Sequence, residues 1–273
     1  MKYKRNIYIA LTILTILFGC TSTTKKSDSD VDRIQLMILP EYMALNMSQS
    51  GYTEILDEAK KDGILNTDTI QVERVREISY NLINQTYIFR EDAQDWNWEI
   101  NVIDSELINA FCMPGGKIVV YSGLINKLDA TDDELAAVIG HEISHALREH
   151  GRERMSTALL QQVGIIGFAA YIAEKGIYTN AAVQAVALGT TLFFALPNSR
   201  EQEREADKIG LELTARAGYH PMAAVSLWRK MSELSEVDMP EFLSTHPSNE
   251  NRIKDLSEHA KKINSLYEAN KNK

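Results

Sequence analysis

His141-Glu142-Ile143-Ser144-His145 reads H-E-x-x-H. Histidines four residues apart lie on one face of an α-helix, so their imidazoles can grip a single metal ion. Zinc suits them, because it takes imidazole nitrogens at about 2.0–2.1 Å. Glu142 follows His141 by one residue, roughly 100° around the helix, and so points to the side of such an ion. There it can take a proton from a water molecule. The residues before the motif predict the helix. Thr131-Asp132-Asp133-Glu134 matches a capping box, and Leu135, Ala136, Val138 and Ile139 carry the apolar pattern onward.

A catalytic zinc site needs three protein ligands and one open position. Ser199 to Gly210 reads SREQEREADKIG and places Glu203 and Asp207 one helical turn apart. Glu203 can be the third ligand. Asp207 can accept the free N–H of a liganding histidine and fix its tautomer. Taken alone, each stretch also reads as a solvated, charged helix face. Together they predict one site built from His141, His145 and Glu203, with Glu142 as base. His150, five residues after His145, falls off the ligand face and is expected to be solvated near the helix end.

The two stretches resemble the zinc metallopeptidase family that includes HtpX, Oma and the CAAX prenyl endopeptidases. The family's third ligand is the first Glu of an E-x-x-x-D pattern on a later helix, which falls here on Glu203 and Asp207. Asn109-Ala110-Phe111 with Pro114-Gly115-Gly116-Lys117-Ile118-Val119-Val120 is similar to its NAF…GG segment. Ser244-Thr245-His246-Pro247, with Arg252 following, is similar to its THP…R segment. The resemblance runs from about residue 33 to about residue 260. It implies a mainly α fold with a small β-sheet (α+β), zincin-like, and one zinc ion per chain. It also implies that His246 lies beside the cleft. There His246 either fills the fourth metal position as a latch or donates to a developing oxyanion, a role also open to Arg252. In related proteases an edge strand over the zinc pairs with the extended substrate, and Ile118, Val119, Val120 and Tyr121 are the expected strand here; a structural hairpin is the other reading.

The chain has 273 residues, 44% of them hydrophobic and 25% charged. That suffices for one domain with a sizeable core. With a formal net charge of −9 and no basic patch, nucleic acid is not an expected partner.

Residues 1–19 read as a signal peptide. Lys2, Lys4 and Arg5 precede an apolar run, Ile7 to Phe18, that is short for a membrane span. Leu17-Phe18-Gly19-Cys20 looks like a bacterial lipobox, which makes Cys20 the lipidation site. Thr21 after the cysteine, by resemblance to the sorting rule of enteric bacteria, favours the outer over the inner membrane. Residues 20–32, TSTTKKSDSDVD after the cysteine, are polar and read as a flexible tether; 33–273 is the metallopeptidase domain. Cys112, left without an intrachain partner, is expected to be a buried small hydrophobe.

Helical periodicity runs from about Ile34 to Gln85, including Ile70, Val72, Val75, Ile78 and Leu82. Trp98, Ile100 and Val102 alternate as a strand, and Pro114-Gly115-Gly116 is a turn before a second one. Leu159–Ala173 and Ala181–Leu196 are apolar runs, either buried core helices or a hairpin touching the bilayer or an outer-membrane partner.

The expected activity is therefore zinc-dependent endopeptidase of the bacterial envelope, acting from the periplasmic face on misfolded or misassembled envelope proteins. The substrate class comes from the resemblance. Two alternatives stand beside it: an assembly factor or chaperone that keeps zinc for structure, and a peptidase acting on peptidoglycan cross-links.

Overall fold

The computed structural model describes residues 20–161, 198–234, 241–246 and 251–272. In chain order the strands are β1 Cys20–Thr21, β2 Gln35–Leu36, β3 Glu99–Ile103, β4 Ala110–Met113 and β5 Lys117–Tyr121. The helices are α1 Glu41–Lys61, α2 Thr69–Ile83, α3 Ser122–Lys127, α4 Asp132–Leu147, α5 Arg200–Arg216, α6 Ala223–Ser232, α7 Glu241–Thr245, α8 Arg252–Lys262 and α9 Asn264–Asn270. Residues 150–161 are helical as well. The chain is mainly α with small sheets, as expected. The signal peptide, and the two apolar runs beyond Gln161 up to 196, lie outside the described residues.

α4 is the central element. Its expected capping box is present: the Thr131 side chain accepts from the Glu134 N–H, and the Glu134 carboxylate accepts from the Thr131 N–H. Three acidic residues in the first turn favour the positive end of the helix dipole. From Glu134 to Leu147 every residue of α4 is buried. Leu135, Ile139, Ile143 and Leu147 have no exposed surface. Such side chains each contribute about 1.5–3 kcal/mol on burial.

α5 starts with a second capping box, Ser199 with Gln202, and packs along α4. The two helices meet at glycines. A Cβ on Gly210 would lie 2.8 Å from the His141 backbone nitrogen, and one on Gly140 would lie 3.1 Å from the Gly210 carbonyl oxygen. Any larger residue would force the backbones apart, so this contact sets how closely α5 approaches His141.

β3, β5 and β4 form a sheet in that order, β3 parallel and β4 antiparallel to β5. Its side chains share one core with α2, α4, α5 and α6. The expected substrate-facing edge at Ile118–Tyr121 is corrected here. Those residues form β5, the central strand, with Ile118 against Ile100 and Cys112, and Val120 against Val102 and Ala110. Its backbone groups are engaged on both sides and leave no room for a third partner. β4 is the edge strand on the α4 side.

The N-terminal segment also differs from expectation. Residues 20–32 are packed, not a free tether. β1 pairs with β2, and Thr24, Ser29 and Val31 are buried. The polar residues serve buried charges: Arg148 donates to Ser22 Oγ and Thr24 Oγ1, both at 3.1 Å. Glu212 accepts from Ser27 Oγ and the Ser29 N–H. Among the described residues no helix is long and apolar enough to cross a membrane.

Candidate metal centre

The α4–α5 crossing brings the two motifs together. His141, His145 and Glu203 converge with His246, which α7 delivers from the far end of the chain; all four are buried. His141 Nε2 lies 3.1 Å from His145 Nε2 and 3.3 Å from Glu203 Oε2. His145 Nε2 lies 3.3 Å from Glu203 Oε1. His246 Nδ1 is 3.0 Å from Glu203 Oε1 and 3.2 Å from His141 Nε2.

These distances test the fit of a metal. Four ligand atoms on arms of about 2.0–2.1 Å stand about 3.3–3.4 Å apart at the corners of a tetrahedron. The observed separations sit just inside that value. The hydrogen-bond pattern agrees. His141 Nδ1 faces Asp207 Oδ1 at 3.0 Å, so that nitrogen carries the proton and Nε2 presents a lone pair to the centre. Lone pairs converging at this range repel each other unless a cation lies between them. No hydrogen bond among the described residues reaches Glu203 Oε2 or Glu142 Oε1, although both are buried. The group of two imidazoles, a carboxylate and a third imidazole suits zinc.

The electrostatics favour a cation. Burial lowers the His141 pKa, but Asp207 and Glu203 outweigh it and push it up to about 9. Burial raises the Glu203 pKa, yet His246, His141 and His145 hold it well below the usual carboxylate range. Glu142 goes the other way: burial raises its pKa, and His246 and His141 only partly oppose that. A carboxylate with a raised pKa is a better proton acceptor.

Asp207 occupies the place expected of it against His141. Arg252 does not face the cleft. It is buried, donates through Nε and Nη2 to Asp207 at 2.9 and 2.7 Å, and sets Nη1 2.9 Å from Glu203 Oε2. Its guanidinium stacks 3.7 Å above the Trp228 ring. With its donors spent on two carboxylates it is not open to an oxyanion, so the expected oxyanion role of Arg252 is corrected to one of holding Glu203 and Asp207.

His150 was missed. It is not solvated but has no exposed surface. α4 ends at Leu147, and Glu149 takes a left-handed φ of 50° before helical residues resume at 150. That break turns the imidazole inward, so an ideal-helix angle does not apply. His150 Nδ1 lies 2.8 Å from His145 Nδ1, and its Nε2 lies 3.0 Å from Glu205 Oε2. Burial drives its pKa down to about 4 against the pull of Glu205, so the ring is neutral near pH 7. Glu205 stood in the same SREQEREADKIG stretch, but no spacing rule singled it out.

A cleft opens beside this cluster, lined by Phe111, Cys112, Glu142, His145, Asn198 and His246. β4 forms one wall. Tyr121 N–H donates to the Asn109 carbonyl, so Asn109 and Phe111 pair with β5 through hydrogen bonds and the alternation turns the backbone of Ala110 and Cys112 to the outer edge. Cys112 is buried, as expected, and burial pushes its thiol pKa well up.

Comparison with known proteins places the chain. A model of peptidase family M48 matches residues 70–260. The chain is 35% identical over 216 residues to mitochondrial metalloendopeptidase OMA1 of Arabidopsis thaliana, covering 78% of this chain and 41% of that protein. It is 32% identical over 265 residues to the mitochondrial metalloendopeptidase OMA1 of Homo sapiens, covering 93% of this chain and 50% of that protein. It is 30% identical over 168 residues to the beta-barrel assembly-enhancing protease of Escherichia coli, covering 59% and 34%. It thus spans about half or less of the length of these relatives. With its H-E-x-x-H helix and its E-x-x-x-D helix crossing at one buried cluster, the chain belongs to peptidase family M48.

Proposed function

We propose that this chain is a zinc-dependent endopeptidase of the bacterial cell envelope. One observation carries the reading: Glu142 stands beside a buried cluster of His141, His145, Glu203 and His246 that matches a tetrahedral zinc site. In this reading His141, His145 and Glu203 hold the ion, and Asp207 fixes the His141 tautomer. Zinc, when bound, supplies Lewis acidity to the scissile carbonyl and to a water molecule. Glu142 takes the proton of the attacking water and passes it to the leaving amine. The outer edge of β4 aligns an extended substrate through its backbone, which accepts many sequences. His246 holds the site latent until α7 moves.

The residues around Cys20 support a lipid anchor facing the periplasm, in the outer rather than the inner membrane. A lipoprotein's several acyl chains make a stable attachment. Misfolded or misassembled envelope proteins, including outer-membrane proteins, are the proposed substrates. The relatives' printed names, metalloendopeptidase and beta-barrel assembly-enhancing protease, support proteolysis over a purely structural zinc. Cleavage of unfolded casein by the purified, zinc-loaded protein, abolished by a chelator and restored by zinc, is the expected result. Cleavage of muropeptides but not casein, or of neither, would sink the proposal.

A further inference from the structure

We propose that His150 and Glu205 form a positioning relay for His145, and that Arg33 in the N-terminal segment holds the relay in place. The inference rests on the reading of His145 as a metal ligand through Nε2.

A neutral imidazole that gives its Nε2 lone pair to a cation keeps its proton on Nδ1. In His145 that N–H faces His150 Nδ1 at 2.8 Å, which must therefore accept. The single proton of His150 then sits on Nε2 and is donated to Glu205 Oε2 at 3.0 Å. Reversing the first link would put the His145 proton on Nε2 and close that nitrogen to a metal. The contacts thus select the binding-competent tautomer of His145. His141 achieves the same through Asp207 directly. His145 has its carboxylate one ring further away.

Glu205 is fixed in turn by two arginines. Arg148 Nε donates to Oε2 at 3.1 Å, and Arg33 Nε and Nη2 donate to Oε1 and Oε2 at 2.6 and 3.2 Å. Arg33 also forks onto Glu153 at 2.5 and 2.9 Å, and its carbonyl accepts from Arg148 Nη2. Gln35 Nε2 closes the network on the Arg148 carbonyl at 2.7 Å. His150 and Arg148 have no exposed surface, so water offers no substitute partners. Residues 22–35 therefore act as a strap: they carry the cation that orients Glu205, which orients His150, which orients His145.

Zinc affinity of the purified full chain, measured by chelator competition, tests this apart from activity. His150→Leu removes the acceptor and should weaken zinc binding by about 10–100-fold, as for other partners of metal-ligating histidines. His150→Asn, with an acceptor oxygen near the old Nδ1 position, should recover most of that loss. Arg33→Met should cost roughly tenfold, the lower end of that range. In the cobalt(II)-loaded protein the His145 Nδ1 proton should exchange slowly in wild type and His150→Asn, and be lost to fast exchange in His150→Leu. A role in folding alone would not move that signal. Should His150→Leu not fold, Arg33→Met and His150→Asn carry the test. Arg33→Met with the affinity of wild type, or a His145 signal indifferent to residue 150, overturns the relay. Wild type without stoichiometric zinc overturns the relay and the metal-centre reading together.

Discussion

His246 stands between Glu142 and the ligand cluster. Its Nε2 lies 3.4 Å from Glu142 Oε1, and its Nδ1 points the opposite way, 3.0 Å from Glu203 Oε1. The ring is stacked on Phe242 with centroids 4.2 Å apart. One imidazole thus occupies both the fourth ligand corner and the approach to the base. A latch is expected to do this. An oxyanion donor should instead face the cleft with an N–H and leave the fourth corner open. His246→Ala should therefore cleave unfolded casein several-fold faster than wild type at matched zinc occupancy. An oxyanion role predicts a loss of roughly 10²–10³ instead, and an unchanged rate would assign His246 neither role.

Glu142 and Glu203 are both buried carboxylates, but their surroundings separate their roles. Glu203 has three imidazole nitrogens around it, whereas Oε1 of Glu142 has no hydrogen-bond donor among the described residues. Glu142→Gln should keep about one equivalent of zinc and lose at least the ~10²–10⁴ of rate typical of a general base. Glu203→Gln should lose zinc in the same dialysis. Wild-type proteolysis by Glu142→Gln would be incompatible with the proposed mechanism.

Helix-borne features of the site could be read from the chain because they are local. The capping box at Thr131, the spacing of His141 and His145, and the single turn from Glu203 to Asp207 each follow from one helical period. What escaped is non-local or breaks the period. The left-handed Glu149 redirects His150, and no composition rule places that break. β5 is central because β3, from earlier in the chain, adds parallel to it; strand order is not written in the KIVVY stretch. Residues 20–32 are polar in composition, and composition does not say whether water or a buried Arg148 takes the hydrogen bonds. The paired Gly140 and Gly210, which let α4 and α5 touch, stand in separate segments and acquire meaning only in the crossing.

The Arg33–Glu153 pair predicts an acid-sensitive term in stability. Burial raises the Glu153 pKa, but Arg33, Gln202 and Gln35 outweigh it and hold it below the usual value of 4.5. The unfolded chain therefore takes up this proton before the folded one does. The stabilisation is present above about pH 4.5 and is lost as pH falls through the lower folded value. Glu153→Gln should cost about 2 kcal/mol at pH 7, where Arg33 loses a charged partner. The gap between variant and wild type should narrow as the pH is lowered from 6 to 3. Urea melts of the zinc-free proteins at each pH measure it, and a gap that widens on acidification would contradict the sign.

The outer edge of β4 predicts how substrates bind. Ala110 and Cys112 turn their backbone groups away from β5, and both residues line the cleft that holds Glu142. An extended peptide laid there would pair through main-chain hydrogen bonds, each worth about 0.5–1.5 kcal/mol net. Methylating the one peptide nitrogen that donates to this edge should therefore raise KM by about 2- to 12-fold and leave side-chain preferences alone. Methylating the next nitrogen, which points away in a strand, should have little effect. A scan of singly N-methylated versions of one cleaved peptide reads out this alternation. β5 predicts none of it, because its backbone is already paired on both sides. Equal tolerance at successive positions would remove β4 as the docking strand.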